Sequence, residues 1–169
     1  MKYNPVEHPV VIQFKGSDPE RLAKSTSLAV SLGYDAVNIN CGCPARKCKG
    51  EEPSGAILMK DPKRVQDTVR EMIAVSSVPI TVKCRIGVDD LDSYEYLKSF
   101  VSTVREGGVK HFIVHARKAL LGELDPEGNR CIPPLKYEWV YALAKDFPDI
   151  QFDLNGGLQS IEMVRNSND

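Results

Sequence analysis

Short apolar runs alternate with longer amphipathic stretches along the chain, and this alternation predicts a parallel β-sheet wrapped by α-helices. Five apolar runs have the length of a strand, and they cover residues 9–14, 35–41, 79–85, 110–116 and 150–154. Helix starts are indicated by Asp18-Pro19 and Asp61-Pro62, because each pair places a capping carboxylate before a proline suited to the first turn. A further helix is predicted over residues 92–105, ending at Gly107-Gly108. The pattern therefore predicts an α/β fold.

The stretch over residues 119–134 contains glycine and proline but has no clear period, and it is longer than an ordinary connection. Loops of that length usually carry a function. No internal repeat, low-complexity tract or linker divides the chain, and 169 residues with 42% hydrophobic content are enough for one core. We therefore expect residues 1–169 to form a single domain.

Polar side chains end each of the five predicted strands: Gln13, Asn40, Lys83, His115 and Asn155. Strands of parallel sheets are normally apolar on both faces. Solvation at the rim of the sheet would explain any one of these side chains. Five together favour a lined pocket at the carboxyl edge, where α/β folds bind their ligands.

Cys43 follows the second predicted strand, in the run Asn40-Cys41-Gly42-Cys43-Pro44. Proline cannot continue a strand and glycine allows a sharp turn, so the thiol is predicted to leave the strand and face a cleft. A metal site is disfavoured, because Cys41, Cys43 and Cys48 have no paired second cluster of ligands.

The type of ligand is indicated by Lys83 and by the run Asn155-Gly156-Gly157. An ammonium inside a strand is costly to desolvate unless a carboxylate or an anionic ligand pairs with it. The glycine pair precedes a predicted helix start at Ser160, so its backbone N–H groups are suited to a phosphate, although a simple turn is the alternative. Flavin mononucleotide (FMN) carries a phosphate and a ring that becomes anionic on reduction, and would satisfy both features.

The net charge of −1 gives no global attraction to nucleic acid, so a polyanion would have to be held by local clusters such as Arg46-Lys47 or Arg117-Lys118. The five cysteines are an odd set in a chain too large to need disulfides, which favours reduced thiols and a cytoplasmic location. No membrane partner is expected, because no apolar stretch approaches the roughly 18 residues of a spanning helix. The N-terminus lacks the apolar run of a secretory signal, and an organellar transit peptide stays open.

Several motifs stand in an order found in one enzyme family. They cover residues 40–44, 54–59, 82–87, 115–119 and 155–157, with further support from residues 85–90 and 132–135. On these motifs the chain resembles the tRNA-dihydrouridine synthases, most closely their A-type subfamily, over residues 8–164.

The resemblance implies an FMN oxidoreductase on a (β/α)8 TIM barrel, which reduces the C5–C6 double bond of D-loop uridines in tRNA and is recharged by NADPH. A complete barrel needs eight βα units and about 250 residues. About five units fit here, matching family strands 3 to 7. The resemblance therefore implies a partial barrel without the first two strands, the last strand and the C-terminal helical domain.

The resemblance also assigns roles to individual residues. Cys43 would be the general acid, and Asn40 would orient the uracil base. The positions that match FMN contacts are Gln13, Lys83, His115, Asn155, Gly156 and Gly157, and those expected to touch tRNA are Arg117, Lys118 and Arg46. No metal is implied, and the oligomeric state is left undetermined.

One departure from the family lies near Cys43, where Ser54 replaces the phenylalanine of a Phe-Gly-Ala motif and is expected to loosen the loop that carries the thiol. Two alternatives stay open. One is a truncated, inactive remnant of such an enzyme, which folds only with a partner that supplies the missing strands or does not fold at all. The other is a different FMN barrel oxidoreductase that acts on a small pyrimidine such as dihydroorotate.

Overall fold

A single parallel sheet forms the centre of the computed structural model, which describes residues 3–45 and 52–166. Its five strands lie side by side in chain order: β1 (Val11–Phe14), β2 (Ala36–Cys41), β3 (Ile80–Arg85), β4 (His111–His115) and β5 (Gln151–Asn155). The five predicted strands are confirmed, with ends that shift by at most two residues. The predicted α/β class is confirmed as well.

Helices follow the strands in alternation. They are α1 (Pro19–Ser31), α2 (Pro62–Ala74), α3 (Tyr94–Arg105), α4 (Gly128–Cys131), α5 (Tyr137–Asp146) and α6 (Ile161–Asn166), with 3₁₀ turns at Pro5–Glu7 and Gly55–Lys60. The predicted caps are confirmed, because the carboxylates of Asp18 and Asp61 accept the N–H groups of Arg21 and Arg64 at 2.9 and 3.1 Å. The chain leaves α3 through Gly108, whose φ of +105° favours glycine.

The hydrophobic core lies between one face of the sheet and the helices. Strand side chains that point to this face are fully buried: Val37, Ile39, Val82, Phe112 and Val114. They pack in one cluster with buried side chains of α2, α3 and α5, among them Val69, Leu97 and Leu143. Because side chains alternate along a strand, the polar positions in between share the opposite face. Burial of the apolar face thus fixes which way the polar side chains point.

The strand register brings these polar positions together across the sheet. Asn40 lies opposite Lys83 on the neighbouring strand, and His115 lies opposite Arg85 on one side and Asn155 on the other. The carboxyl ends of parallel strands meet at one edge, so all of these residues lie at the same end of the sheet.

Residues 119–134 are more ordered than their sequence indicates. They contain α4, and Asn129 at its second position is fully buried, with 0% exposure. The Asn129 amide nitrogen donates to the carbonyls of Leu120, Leu124 and Asp125 at 3.1 Å, and its oxygen accepts the Leu120 N–H at 2.8 Å. The Asn129 side chain therefore holds this segment in place through hydrogen bonds that no periodic sequence pattern predicts.

Candidate functional site

A cleft of about 270 Å³ opens at the carboxyl end of the strands. It is lined by Gln13, Asn40, Gly42, Cys43, Pro44, Lys83, Cys84, Arg85, His115, Pro126 and Arg130. Five of the predicted site residues, from four different strands or strand exits, therefore line one cavity. Solvation at scattered points of the rim does not account for this convergence.

Cys43 lies just beyond the end of β2 and is held by its backbone. The Asn40 side-chain oxygen accepts the N–H groups of Gly42 and Cys43 at 3.1 and 2.9 Å, and the Cys43 carbonyl accepts the N–H of Ala56 at 2.8 Å. Gly55, with φ +75°, approaches so closely that a Cβ atom there would lie 2.4 Å from the Cys43 carbonyl oxygen. The backbone that carries the thiol is thus held by Asn40 on one side and by Gly55 and Ala56 on the other.

A chain of side-chain hydrogen bonds runs from Asn40 and Gln13, which line the cleft, to the buried side chains of Asn38 and Thr81. The Asn40 amide donates to Gln13 at 2.7 Å, Gln13 donates to Asn38 at 2.7 Å, and Asn38 donates to Thr81 at 2.8 Å. These four side chains, named here the amide row, link β1, β2 and β3. Through Asn40, the row connects the sheet to the loop that carries Cys43.

Lys83 points into the cleft from β3 and donates to the side-chain oxygen of Asn155 at 3.1 Å. Burial lowers the pKa of its ammonium. Among the described residues, no carboxylate lies within 4 Å of this ammonium. A partly buried cation whose partner is a neutral amide is suited to an anionic ligand.

His115 reaches the same cleft from β4. Its Nε2 atom is buried without a hydrogen-bond partner, and Gly156 packs against the ring so closely that a Cβ atom there would lie 2.8 Å from Nε2. Burial, followed by the charges of Arg85 and Lys83, lowers the pKa of the imidazole to about 3. The ring is therefore neutral near pH 7 and can accept or donate one hydrogen bond to a bound group.

Arg85 is a buried cation at the back of the cleft, with only 4% exposure. Its guanidinium donates to the backbone carbonyls of Gly42, Lys118 and Asn129 at 3.2, 3.2 and 2.6 Å. Burial, followed by the charges of Arg117 and Arg130, lowers its pKa to about 10, so it stays charged at neutral pH. Arg85 thereby ties the loop after β2 to two points of the segment between β4 and α5, and it adds positive charge to the cleft.

The three residues expected to touch tRNA differ in their surroundings. Arg117 donates to the Pro133 carbonyl, and Lys118 forms an ion pair with Asp92 at 3.1 Å. Arg46 lies outside the described residues. Both described cations are thus engaged with the protein.

A family model described as dihydrouridine synthase matches residues 1–168. The chain belongs to the dihydrouridine synthase family. Its curated relatives include the tRNA-dihydrouridine(20/20a) synthases of Vibrio cholerae and Escherichia coli K12, both 48% identical over 166 residues and 98% of this chain. The match covers 50% and 48% of those two proteins, so the chain spans about half the length of the curated relatives it matches.

Solved structures share the fold at low sequence identity. A putative lyase/mutase from Burkholderia cenocepacia matches 95% of this chain and 52% of its own, with a TM-score of 0.60 and 12% identity. A dihydrodipicolinate synthase from Agrobacterium tumefaciens matches 94% of this chain and 49% of its own, with a TM-score of 0.60 and 9% identity. At such identities the likeness concerns the fold alone.

Sequence reasoning missed two contacts at the site. Lys15, directly after β1, donates to the Cys43 sulfur at 3.2 Å. Extending the alternation Val11, Gln13, Lys15 by one step would have placed it on the cleft face. Asn129 gives no such signal, because it belongs to no periodic pattern that would distinguish a buried asparagine from an exposed one.

Two negative results concern other classes of site. In the described ranges 3–45 and 52–166, no three metal-ligating side chains gather in one place. No helix in the same ranges is long and apolar enough to cross a membrane.

The neutral state of His115 predicts a specific pH dependence of stability. In the unfolded chain the imidazole pKa is near its reference value of about 6.5, whereas folding lowers it to about 3. Unfolding therefore takes up a proton between these values, and the free energy of unfolding should fall as the pH drops through 6.5. We expect urea unfolding to show that the free energy of unfolding falls more between pH 7 and pH 5 for the natural chain than for His115→Gln. Equal losses in both proteins would contradict this assignment.

Proposed function

We propose that this chain carries the catalytic cleft of a tRNA-dihydrouridine synthase, in which bound FMN and the thiol of Cys43 reduce the C5–C6 double bond of uridines in the tRNA D-loop. The observation that carries the proposal is the convergence of Cys43, Lys83 and His115 on one cleft at the carboxyl edge of the sheet. Family membership and the printed names of the relatives support the reaction type.

The residues present fit a flavin phosphate or ring. The His115 Nε2 atom lacks a partner, and the Lys83 ammonium is bonded only to the neutral Asn155 side chain among the described contacts, so both are suited to an anionic or acceptor-rich ligand. We propose that Gln13, Lys83, His115, Asn155, Gly156 and Gly157 hold FMN. When bound, FMN would supply hydride to C6 of the uracil and would itself be reduced by NADPH.

Cys43 is proposed to provide the proton that completes the reduction. Addition at C6 leaves negative charge on the uracil, conjugated through C5 to the C4 carbonyl, and a proton at C5 neutralises it. A cysteine thiol has a reference pKa of about 8.5 and is mostly protonated near neutral pH. The hydrogen bonds from Gly42 and Cys43 to Asn40 hold the thiol's loop, which orients this proton relative to the base.

The proposed role of Asn40 toward the base is narrowed by its contacts. Its side-chain oxygen already accepts two backbone N–H groups, and one amide hydrogen is used by Gln13. An asparagine amide carries two hydrogens. We therefore propose that Asn40 contacts the uracil through its second amide hydrogen, donated to a carbonyl oxygen of the base.

The tRNA is proposed to approach over the loops after β2 and β4. A uridine must leave its stack to reach the floor of a cleft, as enzymes that act on bases generally require. We propose that the phosphate backbone of the tRNA is contacted by Arg46, Arg117 and Lys118. For Lys118 this contact would compete with its ion pair to Asp92. The affinity for tRNA should therefore fall steeply as the salt concentration rises.

The five strands are proposed to be family strands 3 to 7 of a (β/α)8 barrel, which accords with the half-length match to the relatives. If activity needs the other strands, the chain alone would be an inactive remnant. If the cleft serves a different flavin reaction, a small pyrimidine would replace tRNA.

The test combines flavin binding with two substrates. The purified chain is titrated with FMN and followed by flavin absorbance, then assayed with NADPH on tRNA that lacks dihydrouridine and, separately, on dihydroorotate. We expect bound flavin and dihydrouridine formed only in tRNA. Flavin binding without tRNA reduction would favour the remnant, and turnover of dihydroorotate would favour the second enzyme class. Absence of flavin binding would overturn the cofactor assignment.

A further inference from the structure

Lys15 contacts the proposed acid directly. It lies immediately beyond β1, and its ammonium donates to the Cys43 sulfur at 3.2 Å. The lysine is exposed, while the thiol is half-buried in the cleft. An ammonium this close to sulfur favours the thiolate over the thiol.

Other charged groups also face this cleft, and most of them are cationic. Lys83, Arg85 and Arg130 line it from β3 and α4, and His115 from β4 is neutral at pH 7. On the Lys15 side, the carboxylate of Glu52 lies beside Gly16, where an added Cβ atom would be 3.0 Å from its Oε1, and it is paired with Arg21 at 2.7 Å. The charges around the sulfur in the described part of the chain therefore add to the effect of Lys15.

We propose that Lys15 is a positioning residue for Cys43, whose ammonium stabilises the sulfur anion left after proton transfer to the substrate. This inference rests on the proposed function, in which Cys43 is the acid. The S–H bond breaks, its electron pair stays on sulfur, and the proton forms the new C–H bond at C5 of the uracil. Solvent then returns a proton to the sulfur, and Lys15 keeps its charge throughout.

The charge of Lys15 has a measurable consequence even without substrate, because only the thiolate reacts with iodoacetamide. Alkylation is followed from pH 6 to pH 10 and assigned to Cys43 by fragmenting the tryptic peptide that also carries Cys41. For Lys15→Gln we expect the midpoint of the pH profile to rise by about one unit and the rate at pH 7 to fall about tenfold. The conservative variant Lys15→Arg should keep a profile close to that of the natural chain.

Lys24→Gln is the matched control, since it removes the same charge from an exposed position on α1. Its profile should coincide with that of the natural chain. A second measurement needs no variant: raising the salt concentration from 0.02 to 1 M should move the midpoint of the natural chain upward, because an exposed charge is screened.

Coincident profiles for Lys15→Gln and the natural chain would overturn the proposal, and so would a Lys15→Arg profile shifted as far as that of Lys15→Gln. A midpoint that does not respond to salt in the natural chain would overturn it without any variant. Alkylation requires neither flavin nor tRNA, so its outcome is separate from that of the proposed function. If the chain does not reduce tRNA but the alkylation profile of Lys15→Gln shifts as expected, the charge of Lys15 acts on the Cys43 sulfur and only the catalytic role of this contact is removed.

Discussion

Replacing Cys43 with alanine is expected to slow the reduction of tRNA uridine by about 10² to 10⁴-fold, which is the usual contribution of a positioned acid. Flavin affinity should stay unchanged, because the proposed flavin contacts lie on β1, β3, β4, β5 and the glycine pair that follows β5, and not on the thiol. The hydrogen bonds that shape the loop involve the backbone of Cys43, which alanine preserves. Single-turnover reduction of tRNA, with FMN affinity measured by absorbance, separates the two effects.

The matched control is Cys131→Ala, because Cys131 is also a free cysteine but is exposed and is not among the residues that line the cleft. Its turnover should equal that of the natural chain. Unchanged turnover in Cys43→Ala would remove the acid role from this residue. A loss of flavin binding in the same variant would instead assign the thiol to the cofactor site.

Replacing Asn129 with alanine is expected to lower the free energy of unfolding by about 3 kcal/mol, because the N–H of Leu120 and the carbonyls of Leu120 and Leu124 lose their side-chain partner together. The carbonyl of Asp125 loses the side-chain contact as well but keeps the backbone N–H of Asn129 at 3.0 Å. The carbonyl of Asn129 also accepts a hydrogen bond from Arg85, so we expect the loosened loop to disturb the back of the cleft as well. Urea unfolding at pH 7 measures the loss of stability.

Asn4→Ala provides the comparison for this substitution. Asn4 is exposed and caps the first 3₁₀ turn through one hydrogen bond to the Val6 N–H at 3.1 Å. Its loss should cost about 1 kcal/mol or less. If both variants lose the same stability, the buried contacts of Asn129 do not hold the loop as described.

The positions of the strands could be predicted because apolar periodicity is a local signal that the structure preserves. The grouping of Asn40, Lys83 and His115 at one edge followed from the same signal, since parallel strands share their carboxyl end. Alternation decides which face a residue occupies. It does not decide what that residue bonds to once it is there.

Partners depend on loop paths, and these were not predictable from the sequence. The family motif predicts Lys118 at the substrate, and the structure pairs its ammonium with Asp92. Asn129 organises a loop through contacts made within ten residues, but no spacing rule distinguishes it from a solvated asparagine. The short distance between Lys15 and Cys43 likewise arises from two separate strand exits that converge.

The amide row has a consequence for folding as well as for the cleft. Each donor and acceptor from Thr81 to Asn40 meets its partner only when β1, β2 and β3 are aligned in one way. Sliding a strand by one residue would turn the amides toward the apolar helices and turn valine and isoleucine toward water. The row therefore discriminates against misaligned sheets, and because two of its members, Gln13 and Asn40, also line the cavity, an incorrectly paired chain would lose both its hydrophobic contacts and its ligand site.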